Sequence, residues 1–228
     1  MIPTHVHHED DPFTWSRILV RGPQSETFLQ GQLSQDVAHV QGAYVPSLLL
    51  SPTSDVLSTC WIGALDDGFE LLVAREVADV ALTRLKQFHL RVDCTLSVEE
   101  VASGPFNSVA EQVRRGEPGP HEFLGLVPQV YGRSFVERTV SFTKGCFTGQ
   151  ELVGRLDARG SSVPWRYVRA SGPSLDVIEA ALVAKGPEGP KGVSTAVHYD
   201  GGIHVLGFIH RSAIDAIDDA SLSVEVIP

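Results

Sequence analysis

Residues Lys144 to Gly160, KGCFTGQELVGRLDARG, set a cysteine at the mouth of a short helix, and the rest of the chain is read outward from them. Thr148 followed by Glu151 has capping-box spacing, in which hydroxyl and carboxylate each satisfy a backbone N–H that the first helical turn leaves unpaired. Thr148 is therefore the expected N-cap, and Phe147 with Leu152 the expected hydrophobic staple. The helix should run to about Arg159, a cation suited to its negative pole, with Gly160 free to turn left-handed just beyond it.

Cys146 then lies just outside the positive pole of that helix. A helix N-terminus and a cation such as Lys144 both lower a thiol pKa, in known cases to roughly 3.5–7.5. Cys146 as a reactive thiol and Lys144 beside it are the candidate catalytic pair. Gly145 and Gly149 leave the nearby backbone uncovered, as the close approach of a ligand or partner needs. Residue types alone leave a second reading open, that Cys146 is a small buried hydrophobe beside a tight turn.

Composition bounds the rest. The chain of 228 residues, 43% hydrophobic and 20% charged, can build one large domain or two modest ones. A formal charge of -10 argues against nonspecific binding to nucleic acid or anionic membrane, which calls for basic patches. No apolar run approaches the about 20 residues of a membrane span. The N-terminal MIPTHVHHEDDPF lacks the basic start and apolar core of a secretory signal. Cys60, Cys94 and Cys146 form neither a disulfide framework nor a paired metal motif, which fits a reducing cytoplasm. His5, His7 and His8 could bind a metal, but without an ordered scaffold they read as part of a disordered or frayed arm, residues 1–14, and no metal site is expected.

From Trp15 the pattern is regular. Ser16 to Val20 reads as a strand, followed after Gly22-Pro23 by a short helix carrying Phe28 and Leu29 and stopped by Gly31. Gln30, Gln32 and Asp36 surround that stop. Tyr44 to Leu50 and Val56 to Leu65 form a hairpin across the turn Ser51 to Asp55, and Phe69 to Val73 adds a strand. A helix with Val77, Ala81, Leu85 and Phe88 at helical spacing leads to a strand over Arg91 to Val98. This order predicts an α+β fold, an antiparallel sheet with helices on one face. Ser108 and Glu111 form a second capping box, opening a helix that ends at Gly116. A boundary at Ser161 to Pro164 separates a body, 15–160, from a smaller β-rich unit, 165–228. There Val193 to Val197, Ile203 to Ile209 and Leu222 to Ile227 read as strands, whereas Leu175 to Lys185 fits helix or strand. GPEGPKG, 186–192, lacks the Lys-Ser/Thr ending of a P-loop, and no dinucleotide fingerprint or zinc-protease motif occurs.

KGCFTGQE resembles the signature of the YgfZ-type folate-binding proteins, relatives of the glycine-cleavage T-protein, an aminomethyltransferase. VRGPQSETFLQGQLSQDV, LLLSPTSDV, PQV, LDARG and GVSTAVHYDGGIHVLGFIHR occur in the matching order, so the resemblance covers most of the chain. It implies a T-protein-like body of antiparallel sheet with helices around a central cavity that holds a tetrahydrofolate, plus a small C-terminal β-barrel-like unit. It also implies service to iron–sulfur proteins, notably radical enzymes that modify tRNA, without a defined turnover reaction. Lys144, Gly145, Cys146, Gly149, Gln150, Glu151 and Arg155 match the motif; Phe147 replaces the usual Tyr, and Gln32 and Asp36 are candidates for the cavity wall. The segment from Val98 to Ser108 is shorter than in such proteins, which predicts a more open pocket.

Two functional classes follow, with a ligand-free protein-binding scaffold as a third. The first is a folate-binding accessory factor of iron–sulfur assembly or repair, with folate and iron–sulfur client proteins as partners. The second is a folate-dependent aminomethyl or one-carbon transferase. The T-protein carries a catalytic aspartate where this chain has Ser58 and Thr59, and a hydroxyl cannot supply a carboxylate's charge. The accessory role ranks first on that difference.

Overall fold

Alternating strands at Trp15–Arg21 and Val56–Leu65, with the near-continuous apolar runs at Val45–Leu50 and Gly68–Ala74, build a five-stranded antiparallel sheet. Its strands are β2 (Trp15–Arg21), β3 (Val45–Leu50), β4 (Val56–Leu65), β5 (Gly68–Ala74) and β6 (Thr95–Val101), in the order β3-β4-β5-β2-β6. The computed structural model describes residues 5–123, 125–158, 160, 163–217 and 219–228. Helices α1 (Ser25–Gln32) and α2 (Ala78–Gln87) cover one face, burying Phe28, Leu29, Ala81 and Leu85 against Ile18, Ile62 and Leu71. The opposite face carries a smaller aromatic cluster, Trp15 and Phe106 with Phe13 and Trp61.

One helix end in the first half of the chain differs from the sequence expectation. Helix α1 runs through Gly31 to Gln32, because contacts made to its last carbonyls from elsewhere in the chain support one more residue. Helix α3 (Val109–Arg115) follows the expectation: Ser108 Oγ accepts the Glu111 N–H at 3.1 Å, and Gly116 closes the helix at φ 67°.

The second sheet contains β1 (His7–His8), β7 (Trp165–Gly172), β8 (Gly192–Tyr199), β9 (Gly202–His210) and β10 (Ser223–Val226), in the order β1-β8-β9-β7-β10. It is an open sheet, not the expected barrel-like unit, since the two-residue β1 and the four-residue β10 are its edges and do not pair with each other. The arm differs from the frayed expectation as well: residues 1–4 lie outside the described residues, whereas His7 and His8 pair in parallel with Val197 and His198. The ambiguous stretch is helix α6 (Leu175–Val183), capped by Ser174 and packed on Val168, Val193 and Val205.

One apolar core joins the two sheets. Leu48, Leu50 and Val56 from the first meet Tyr167, Leu206 and Phe208 from the second, with α3, α4 (Arg133–Thr139) and α5 (Gln150–Ala158) between them. The expected boundary residues Ser161 and Ser162 lie outside the described residues. Among the described residues no helix is long and apolar enough to cross a membrane.

Candidate functional site

The motif loop is tied down by residues far away in sequence. Ser141 N–H donates to Ser34 O at 2.9 Å and Thr148 N–H to Gly31 O at 3.1 Å, so the loop lies along the C-terminal end of α1. Gly149 sits at φ 82°, and a Cβ there would lie 2.6 Å from Ser51 O and 2.9 Å from Leu50 Cβ, so only glycine fits against the β3–β4 turn. Ser54 Oγ closes that contact by donating to Gly149 O at 2.6 Å.

This contact corrects the expected helix start. With Gly149 left-handed, helical geometry begins at Gln150, and Thr148 bonds to α1 instead of capping α5. Phe147 is buried while Leu152 is exposed, so the two form no staple. Glu151 faces solvent and pairs with Arg155 one turn on, which leaves the capping box unmade. Gln150 takes over part of that task, its Oε1 accepting the Phe147 N–H at 3.4 Å. The expected end at Arg159 lies outside the described residues; Gly160 has the anticipated positive φ, 63°.

Lys144 reaches into the protein. Its Nζ donates to Gln30 O and Leu33 O at 2.7 Å each and to Gln35 O at 2.9 Å, carbonyls at and just past the negative end of α1. The Phe147 ring lies 5.1 Å away on another side. Burial lowers the pKa of this amine to about 8, with Asp36 opposing. Asp36 itself accepts from Gln30 Nε2, Ala38 N and His39 Nδ1, and its carboxyl is held below the usual range, first by the Gln30 bond. Gln32 Oε1 accepts from Arg84 Nη1 at 3.1 Å.

The site residues inferred from sequence thus divide. Lys144, Phe147, Gly149 and Gln150 hold the loop against α1 and the β3–β4 turn, Gln32 bonds to Arg84 and Asp36 to Gln30 and His39, while Gly145, Cys146, Glu151 and Arg155 lie at the surface. The ammonium drawn beside Cys146 in the sequence reading is committed to three carbonyls.

Cys146 is nevertheless the accessible thiol, since Cys60 and Cys94 are buried. Burial pushes the Cys60 thiol up to about 12 and raises that of Cys94. Iodoacetamide at neutral pH should label Cys146 at least about tenfold faster than either, because alkylation requires an exposed thiolate. Peptide mapping of a time course checks this, and equal rates would show that the three thiols are not distinguished.

Residues that the sequence reading passed over line a cleft of about 440 Å³ on the open face of the first sheet. Trp61, Leu72 and Tyr44 provide apolar and aromatic walls, with Arg17 and Arg115 beside them. Glu70, nearly buried, accepts from Arg17 Nη1 at 3.0 Å and from Tyr44 Oη at 2.5 Å, fixing both side chains. That bond and burial push the Tyr44 hydroxyl up to about 12, burial being the larger cause. Gly104 allows the Trp15 ring to pack on the loop after β6, where a Cβ would fall 2.5 Å from it. The readable signal was Glu70, an acid in the middle of the apolar run GFELLVA.

Ser58 and Thr59 lie on β4 close by. Ser58 Oγ donates to the Thr59 carbonyl at 2.6 Å, and Asp55 is engaged by the Ser51 and Thr53 hydroxyls inside the turn. No carboxylate is supplied at the positions where the transferase reading requires one.

No protein-family profile matches the chain. It is 25% identical over 187 residues to an uncharacterized protein of Haemophilus influenzae, an alignment covering 64% of this chain and 67% of that protein. It is 30% identical over 90 residues to the tRNA-modifying protein YgfZ of Klebsiella pneumoniae, covering 38% of this chain and 27% of that one. Among solved structures it is similar to glycine cleavage system aminomethyltransferase T from Bartonella henselae, with a TM-score of 0.54 and 13% identity over 91% of this chain and 80% of that one. The last similarity is one of fold: a mixed α+β chain with two sheets.

Proposed function

We propose that this protein is a folate-binding accessory factor for iron–sulfur enzymes, working in the cytoplasm, with no turnover reaction of its own. The observation that carries the reading is the cleft of about 440 Å³ walled by Trp61, Tyr44 and Leu72, with Arg17 and Arg115 alongside. Its volume falls in the range of about 300–1,000 Å³ typical of small-molecule sites. Flat aromatic walls suit a pterin ring, and Arg17 and Arg115, now paired with Glu70, Glu99 and Glu111, would exchange or share those partners with the carboxylates of its glutamyl tail. The aminomethyltransferase-like fold and the partial similarity to a tRNA-modifying protein point the same way. Cys146 is the exposed thiol through which a cluster or client would be met.

The transferase reading is disfavoured by Ser58 and Thr59, which cannot act as the carboxylate that orients a reacting folate nitrogen. Reconstitution with the other glycine-cleavage proteins should release no folate-dependent ammonia above background.

Isothermal titration with tetrahydrofolate and its 5-formyl derivative tests the binding step. Wild type should bind with a Kd of about 1–50 µM, and Trp61→Ala should weaken binding by about tenfold or more through lost stacking. Absence of heat from correctly folded wild type would sink the folate reading. Cys146→Ser, exposed and harmless to the fold, should bind folate normally yet fail to support iron–sulfur enzymes in cells.

A further inference from the structure

The N-terminal arm brings three metal-ligating groups together at a place separate from both the motif loop and the cleft. We propose that His5, His7 and Asp11 bind one divalent transition-metal ion of the zinc class, and that the ion cross-links residues 5–11 into one rigid turn. His7 Nδ1 lies 3.2 Å from Asp11 Oδ2 and His5 Nε2 lies 3.8 Å from the same oxygen. All three ligand atoms fall within 4.8 Å of one another.

Those spacings are close to what coordination requires. Zinc bonds of about 2.0–2.1 Å in a tetrahedron put neighbouring donor atoms roughly 3.3 Å apart. His7 and Asp11 already meet that spacing, and His5 has an exposed side chain able to close the remaining gap. The two imidazoles are next-but-one neighbours, so an extended backbone projects them to the same side. Two nitrogens and one oxygen select a zinc-class ion over calcium or magnesium, which prefer all-oxygen shells.

The backbone holds this arrangement before any ion arrives. Asp11 N–H donates to His8 O and His8 N–H donates to Asp11 Oδ2, each at 3.0 Å, closing a turn that aims the carboxylate at the imidazoles. Asp11 O accepts the Val109 N–H at 3.0 Å at the start of α3, and His7 pairs with Val197 on β8.

The experiment is titration of chelator-stripped full-length protein with zinc chloride, paired with cobalt absorption to report geometry. Wild type should bind one ion with a micromolar or tighter Kd, show tetrahedral cobalt bands and melt at a higher temperature with zinc present. His5→Ala lies outside every strand and should keep the fold while weakening binding by about tenfold or more; Asp11→Asn should do the same with a larger loss. Unchanged stoichiometry and affinity in the His5→Ala and His5→Ala/His7→Ala proteins would overturn the proposal, as would wild type that binds no zinc. Folate titration of the same preparations separates this outcome from the fate of the cleft reading.

Discussion

Glu122→Ala should lower the unfolding free energy by about 3–5 kcal/mol, because it empties a buried polar junction and leaves its donors unpaired. Glu122 is fully buried, yet it lies on the short turn Pro120–Glu122. Its Oε1 accepts from Ser194 Oγ at 2.5 Å and Thr195 Oγ1 at 2.7 Å; its Oε2 accepts from Gly119 N at 2.8 Å and Gln112 Nε2 at 3.3 Å. A single carboxylate therefore connects α3, the 119–122 turn and strand β8 of the second sheet. After truncation Ser194 and Gln112 keep other acceptors, Leu206 O and Glu117 O, whereas among the described residues the Gly119 N–H and the Thr195 hydroxyl have Glu122 alone. Urea unfolding followed by tryptophan fluorescence measures the loss, and a change below about 1 kcal/mol would show that water replaces the carboxylate at little cost.

Glu122→Gln separates charge from shape. Burial raises the Glu122 carboxyl above its usual range, with Ser194 and Thr195 opposing. Between the ordinary carboxylate pKa and the raised folded value, the folded state binds the proton more tightly than the unfolded chain. Stability from this residue is then present at the acid side of that window and is lost as pH rises through the folded pKa. The advantage of wild type over Glu122→Gln should therefore shrink with rising pH across that window, while the glutamine protein shows no such slope from this position.

The local elements were legible in the sequence where short-range signals suffice. Ser108, Glu111 and Gly116 delimit α3 because a cap and a left-handed stop need only neighbours. The β3–β4 hairpin followed from two apolar runs around a turn-rich stretch. What was not legible depends on contacts distant in sequence. Strand β1 has two residues and no period, and exists only because β8 offers an edge. The first residue of α5 is Gln150 and not Gly149, as a cap at Thr148 would have made it, because Gly149 meets Leu50 and Ser51, which no local rule contains. The cleft draws Arg17, Tyr44, Trp61 and Arg115 from four separate segments, so only the folded sheet brings them together. Arg84 gave a weak signal, a cation on the apolar side of α2 between Ala81 and Leu85. It is nearly buried, donates to Leu50 O and Gln32 Oε1, and stacks on Phe88, with no ion pair among the described residues.

Lys144→Met should destabilise the protein by about 2–4 kcal/mol, which follows from the three carbonyls it would strand. Hydrogen bonds to a charged donor contribute about 1.5–3 kcal/mol each, and the cost of burying the ammonium offsets part of their sum. Gln30, Leu33 and Gln35 carbonyls converge on one point, which a compact ammonium with three donors can serve. Lys144→Arg should not rescue, since a planar guanidinium cannot direct three donors at one convergent set; it should recover less than about half of the loss. The pH dependence has a definite sign. The folded amine has its pKa lowered to about 8 by burial, whereas the unfolded chain titrates near the model-peptide value of about 10.4, so from about pH 8 to 10.4 the unfolded chain binds the proton more tightly. Stability from this group then rises with pH through that window, and the gap between wild type and Lys144→Met should widen there. Denaturation of both proteins at pH 7 and pH 10 checks it. A gap that narrows instead would mean that the three carbonyls outweigh burial and hold the ammonium charged, which would make Lys144 a permanent cation at the end of α1.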